Sequence, residues 1–138
     1  MTVLYTAHAT VTGGRDGRGE TDDKKLSVSL TKPGAGSTGT NPEQLFAVAY
    51  AACFGGAVSF VAGQKKLETG ALSIHSDVSL NQNESGFFLQ ASLNILLPLL
   101  DKKEAADLVR DADKICPYSK AIRGNVKVAL SANGDPVG

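Results

Sequence analysis

The sequence has little of several residue types that mark common classes of protein. It contains no tryptophan, two cysteines and two histidines in 138 residues, and its 14 basic residues are balanced by 14 acidic ones. Zero net charge, with aromatic residues that are not interleaved with Lys or Arg, argues against a nucleic-acid partner. His8 and His75 lie far from each other and from the cysteines, so the spacing of a zinc site is missing and we expect no metal.

The two cysteines, Cys53 and Cys116, lie 63 positions apart and do not form the pattern of a disulfide-stabilised secreted domain. The segment Met1–His8 has no basic region, apolar region or cleavage site of a signal peptide. We therefore expect a cytoplasmic protein with reduced thiols. Two cysteines that meet only in the fold of such a protein suggest a redox pair that closes and reopens during a reaction.

An uncharged stretch, residues 45–62, approaches the length of a membrane span. Six alanines, two glycines and a serine make it only mildly apolar. The amphipathic segments around it also need a core to pack against. We therefore predict a buried central helix and no membrane partner.

The hydrophobic pattern predicts a single domain over residues 1–138 with an α+β fold. Strands are predicted at 3–12, 26–30, 72–80, 87–97 and 126–130, with a turn at 13–17 and a loose tail at 131–138. Two helices are predicted to begin after the caps Asn41 and Asp101, and the second ends at Cys116 because Pro117 follows it. We expect one mostly antiparallel sheet that wraps around the long first helix.

The glycines at 34, 36 and 39 match a dinucleotide-binding motif by letter. The predicted helix starts after the third glycine, and the acidic residue expected about 20 positions later is missing. We therefore interpret residues 34–39 as a loop of small residues.

Taken alone, Cys53 fits a small buried hydrophobic residue as well as a nucleophile. It lies 12 residues beyond the cap Asn41, where the helix dipole has little effect, so a reactive thiolate needs a cation from elsewhere. Arg15, in the glycine-rich turn, is one candidate and Arg18 is another. Glu43 in the first helical turn suits the helix dipole, and it could also orient an arginine.

Four motifs occur together in one order along the chain. They are GGRDG at 13–17, GTNPEQLF at 39–46, YAACF at 50–54 and CPYSKAIRGN at 116–125. In this combination the sequence resembles the Ohr/OsmC family, and within it the organic hydroperoxide resistance (Ohr) branch. The resemblance extends from about Leu4 to about Leu130.

The resemblance implies an OsmC-like fold, an intertwined homodimer, and a thiol peroxidase that reduces organic hydroperoxides, including those of fatty acids, to alcohols. It implies recycling by a lipoylated protein or dihydrolipoamide, with no cofactor. Transferred motif by motif, Cys53 is the peroxidatic cysteine, Cys116 is the resolving cysteine, and Arg15 and Glu43 form the activating pair. The aromatic neighbours Tyr50, Phe46, Phe54 and Phe60 favour a substrate with an apolar body.

Helix geometry adds an argument for the homodimer. Ten residues at ~1.5 Å each separate Glu43 from Cys53 by about 15 Å, too far for both to flank one guanidinium within a chain. If both serve one site, they come from different chains.

A non-catalytic alternative is a small-ligand or lipid-binding domain, or a thiol sensor, on the same scaffold. A binder tolerates Cys53→Ser and Cys116→Ser, and a sensor oxidises once and needs a partner protein. A peroxidase instead loses multiple turnover with Cys53→Ser and over-oxidises with Cys116→Ser.

Overall fold

The first of two compact units contains a small antiparallel sheet. The computed structural model describes residues 1–34 and 36–138, and the chain divides into residues 1–45 and 46–138. The sheet of the first unit has the order β1 (Ala9–Thr12), β2 (Gly17–Thr21), β3 (Ser27–Leu30). Both of its strand pairs are antiparallel.

The strand predicted at 3–12 is shorter in the structure, and β2 was missed. The β1–β2 ladder runs from Ala9↔Thr21 to Thr12↔Arg18, so β2 has no residue left to pair with Met1–Ala7. The sequence of β2 is GRGET. It does not predict a strand, because two glycines and two charged residues replace the usual apolar alternation.

The long helix α1 (Pro42–Lys65) begins in the first unit and continues through the second. The predicted cap is present, because the Asn41 side chain accepts a hydrogen bond from the Gln44 backbone N–H at 2.9 Å. The Gln44 side chain accepts from the Thr40 hydroxyl at 2.7 Å. Ala35, in the glycine loop before this helix, lies outside the described residues.

The second unit combines three helices with a four-stranded sheet. The strands are β4 (Ser73–Asn83), β5 (Gly86–Leu96), β6 (Lys127–Ala132) and β7 (Asp135–Val137), in that order across the sheet. The β4–β5 hairpin is antiparallel as predicted, β5 and β6 are parallel, and β6 and β7 are antiparallel. Helices α2 (Lys102–Ile115) and α3 (Pro117–Ile122) connect β5 to β6. The predicted α+β class and long central helix are confirmed, whereas residues 1–34 and 36–138 form two sheets in place of the one predicted.

One element of this unit contradicts the sequence-based prediction, and another was not predicted. The tail is not loose, because Asn133 and Gly134 adopt positive φ and turn the chain back as β7 against β6. An Asn-Gly pair is the usual signal for such a hairpin. The chain also re-forms a helix directly after Cys116, with Pro117 at its first position, where proline is well tolerated.

The core of the second unit lies between α1, β5 and α2. The fully buried large side chains are Tyr50, Phe54, Val58, Leu93, Ile95, Leu97, Leu108 and Val109. By length and composition α1 could cross a membrane, but six of its residues are buried in the protein. It is therefore the core helix that residues 45–62 predicted.

Candidate active site

The structure brings Cys53 and Cys116 into direct contact. The Cys116 thiol donates a hydrogen bond to Cys53 Sγ, with 3.6 Å between the sulfur atoms. Both thiols are free; Cys116 is fully buried and Cys53 is partly exposed. A disulfide has an S–S distance of ~2.05 Å, so the sulfur atoms must approach by about 1.5 Å to bond.

Cys116 is held in place by the junction of two helices. It is the C-cap of α2 and the N-cap of α3, with extended backbone angles of φ −62° and ψ 119°. Its N–H donates to Ala112 O at 2.9 Å, and its carbonyl accepts from the Lys120 N–H at 3.0 Å. Pro117 enforces this break, because a residue before proline is disfavoured in the helical region.

The environment of Cys53 within its own unit favours the neutral thiol. Burial raises the pKa of Cys53, and the hydrogen bond and charge of Cys116 raise it further. A hydrogen bond from the Tyr118 backbone lowers the pKa in part. These neighbours do not by themselves produce a thiolate at neutral pH.

Arg15 and Glu43 form a bidentate ion pair. Arg15 Nη1 donates to Glu43 Oε2 at 2.8 Å, and Arg15 Nη2 donates to Glu43 Oε1 at 2.5 Å. The hydrogen bonds from Arg15 lower the pKa of Glu43, and those to Glu43 raise the pKa of Arg15. The Glu43 side chain is only 13% exposed, whereas the Arg15 side chain is 40% exposed.

The turn that carries Arg15 depends on its glycines. Gly13 has φ +76°, and its carbonyl accepts from the Asp16 N–H at 3.1 Å. A Cβ on Gly17 would lie 1.9 Å from Thr12 O, so the turn is closed too tightly for a side chain. Arg18, the other candidate cation, instead donates to the hydroxyls of Ser27 and Ser29. Arg15 is therefore the arginine that Glu43 orients.

An aromatic cluster lies beside the two cysteines. Tyr118 stacks on Tyr50, with ring centroids 6.2 Å apart, and its edge meets Phe46 at 6.1 Å. Tyr50 and Phe54 are fully buried and Phe60 is 59% exposed, so these three are core and surface residues rather than a common lining. The residue that the sequence analysis missed is Tyr118, which only the helix α3 brings to this position.

The Tyr50 hydroxyl is hydrogen bonded to Ser119 Oγ at 2.8 Å, and both groups are buried. Burial raises the pKa of Tyr50, so the phenol stays neutral. Among residues 1–34 and 36–138, no group of three or more His, Cys, Asp or Glu side chains could hold a metal ion.

Comparison with known proteins agrees with this arrangement. The family model described as OsmC-like protein matches residues 34–131. The organic hydroperoxide resistance protein of Xanthomonas axonopodis pv. citri is 52% identical over 134 residues, covering 94% of both chains. The chain belongs to the organic hydroperoxide resistance branch of the OsmC-like family.

Solved structures of Ohr proteins share the fold. The organic hydroperoxide resistance protein OsmC of Legionella pneumophila superposes with a TM-score of 0.90 at 45% identity, covering 95% of this chain and 98% of the other. The protein OhrB of Bacillus subtilis superposes with a TM-score of 0.89 at 46% identity, covering 94% and 99%. The predicted OsmC-like fold is thereby confirmed.

Proposed function

We propose that this Ohr chain is a cysteine-based peroxidase that reduces organic hydroperoxides, including those of fatty acids, to alcohols. It would protect the cytoplasm against organic peroxide stress. The observation that carries the proposal is the contact of two free thiols, Cys53 and Cys116, at 3.6 Å. The names of the relatives described above, which are organic hydroperoxide resistance proteins, support the substrate class.

The reaction follows from thiol chemistry. The Cys53 thiolate attacks one oxygen of the hydroperoxide, the O–O bond breaks, and the departing alkoxide takes a proton and leaves as the alcohol. Cys53 retains the other oxygen as a sulfenic acid. Cys116 then attacks that sulfur, so an S–S bond forms, the S–O bond breaks and water leaves. An external dithiol, dihydrolipoamide or a lipoylated protein, supplies two electrons and restores both thiols.

The first step needs a cation, because burial raises the pKa of Cys53. Arg15 suits this task, since Glu43 fixes the orientation of its guanidinium and the Arg15 side chain is partly exposed. It also suits the stabilisation of charge that develops on the peroxide oxygens. Glu43 and Cys53 are ten residues apart on α1, about 15 Å along the axis. We therefore assign the Arg15–Glu43 pair of one protomer to Cys53 of the other, in a homodimer with two shared active sites.

The aromatic rings next to the cysteines support an apolar substrate. Phe46 and the 39% exposed Tyr118 pack against each other at this position. An aromatic surface gains free energy by removing an apolar substrate body from water, which hydrogen peroxide does not offer. Cumene hydroperoxide should therefore be reduced faster than hydrogen peroxide, and equal rates would contradict the apolar site.

The decisive experiment is a thiol count and intact mass of the reduced protein after one equivalent of cumene hydroperoxide, followed by dihydrolipoamide. We expect both thiols to be lost as an intramolecular disulfide and to return with the dithiol. Two unreacted thiols would mean that Cys53 is not activated, and the chain would then be a binding protein on the same fold.

A further inference from the structure

The buried hydrogen bond between Tyr50 and Ser119 has no part in the proposed chemistry. The Tyr50 hydroxyl and Ser119 Oγ share a hydrogen bond of 2.8 Å, although the residues are 0% and 3% exposed. The rest of the Tyr50 side chain packs in the core. A buried hydroxyl pair of this kind contributes little when both partners are present, but it is costly to leave half made.

This hydrogen bond links α1 to the short helix that follows Cys116. Tyr50 is one turn before Cys53 on α1, and Ser119 is three residues after Cys116. Tyr118 lies in α3 between Cys116 and Ser119, and its ring stacks on the ring of Tyr50. α3 has only six residues, too few to be stable by itself, so its position depends on contacts with neighbouring elements. Ser119 contacts Tyr50 of α1, and the Arg123 side chain at the end of α3 donates to Asp113 O of α2.

We propose that the Tyr50–Ser119 hydrogen bond is a positioning contact that holds Cys116 within reach of the oxidised Cys53, an inference that rests on the proposed peroxidase function. Its effect falls on the second step. Cys53 sulfenic acid has two fates: attack by the Cys116 thiol, which releases water and forms the disulfide, or reaction with a second hydroperoxide, which releases alcohol and leaves a sulfinic acid. The geometry of Cys116 decides the partition between these fates.

The test is a set of single and double variants. Tyr50→Phe removes the hydroxyl and keeps the ring, which preserves the stacking on Tyr118; Ser119→Ala removes the other partner. Tyr5→Phe is the matched control, because that tyrosine is 80% exposed. Each reduced protein is mixed with cumene hydroperoxide and quenched at intervals, and intact mass after dimedone trapping gives the sulfenic, disulfide and sulfinic fractions.

We expect the sulfenic acid of Tyr50→Phe and Ser119→Ala to persist about tenfold longer than in the native protein, the rate equivalent of one buried hydrogen bond. The sulfinic fraction at excess hydroperoxide should rise in both, and the rate of the first step should change less than that of the second. Tyr5→Phe should partition as the native protein does.

The double variant separates positioning from general stability. It leaves no unpaired buried hydroxyl, so its resistance to urea should recover relative to the single variants. Its sulfenic acid should nevertheless stay long-lived, because the link between α1 and α3 is absent. The proposal is overturned if Tyr50→Phe resolves as fast as the native protein, or if resolution recovers together with stability. If the native protein keeps both thiols in hydroperoxide, the peroxidase function itself fails and the positioning role falls with it.

Discussion

The sulfur atoms of Cys53 and Cys116 are 3.6 Å apart, at hydrogen-bonding distance and not covalently bonded. The buried thiol therefore faces the more exposed one directly. Replacement of each cysteine should therefore affect a different step of the proposed reaction.

We expect Cys53→Ser to abolish hydroperoxide consumption, because no sulfur remains to accept the oxygen. Cys116→Ser should consume two hydroperoxides per chain and then stop, with two oxygen atoms on Cys53, because the sulfenic acid has no thiol to condense with. Coupled turnover with dihydrolipoamide and intact mass measure these outcomes. Sustained turnover by Cys116→Ser at the native rate would refute the disulfide cycle.

The bidentate geometry of Arg15 predicts that lysine cannot replace it. Arg15→Lys keeps the charge but loses the planar fork that meets both oxygens of Glu43. We expect the oxidation of Cys53 to slow by about tenfold or more. Arg18→Lys is the matched control, because Arg18 contacts serine hydroxyls, and it should stay within about twofold of native. If both changes slow the oxidation of Cys53 equally, Arg15 is not the cation that activates it. Rapid-mixing measurements of thiol loss give the rates.

The ion pair also predicts a pH dependence of stability. Hydrogen bonds from Arg15 lower the pKa of Glu43 below its ordinary value of 4.5, so the unfolded chain binds that proton first as the pH falls. The stabilisation from the pair is complete above the ordinary value and is lost as the pH falls through the pKa of the folded protein. The difference in unfolding free energy between the native protein and Glu43→Gln should be constant from about pH 7 to about pH 5.5 and should narrow in acid. Urea denaturation across this range checks it; a difference that widens in acid would contradict the assignment.

Shared active sites predict that two inactive variants restore activity together. In a mixed dimer of Arg15→Ala and Cys53→Ser chains, one site combines an intact Cys53 with an intact Arg15 from the other chain, and its second site lacks both. After random exchange of subunits we expect about a quarter of the native activity, because half of the dimers are mixed and each has one complete site. No recovery, with dimer exchange verified by mass, would place both residues of a site in one chain.

The closed turn before β2 makes a stability prediction. A Cβ at Gly17 would overlap Thr12 O, and the strand ends at that point must move apart. We expect Gly17→Ala to cost more than about 2 kcal/mol and to lower activity by displacing Arg15. In Gly14→Ala the new Cβ has no atom within 4 Å, and the cost should be about 1 kcal/mol, from a φ of +58° alone. Chemical denaturation compares the two; similar costs would mean that the turn adapts.

The sequence was sufficient where a local rule governs the structure. The caps at Asn41 and Asp101 located both long helices, and Glu104 completes a capping box with Asp101. It was not sufficient where tertiary contacts govern it. The glycines and charges of β2 gave no strand pattern, and α3 is too short to show helical periodicity. The Asn133-Gly134 hairpin did carry a usable signal, which the assignment of a loose tail overlooked.

The candidate site, too, could be predicted only in part from the sequence. Motif order selected Cys53, Cys116, Arg15 and Glu43, and the structure brings the cysteines together in one pair and the charged residues together in another. Spacing alone left Arg15 and Arg18 as rivals. The motif resemblance selected Arg15, and the structure pairs it with Glu43 while Arg18 contacts Ser27 and Ser29. Their catalytic roles and the homodimer stay predictions.

Cys116 is the one residue between α2 and α3 that has extended backbone angles. Because neither helix continues through this residue, a change in its torsion angles can move its sulfur while the hydrogen bonds inside α2 and α3 stay intact. We expect the reduced and oxidised forms to interconvert by torsion at Cys116, without melting of a helical turn. The approach of about 1.5 Å that a disulfide requires is thus confined to one residue between two intact helices.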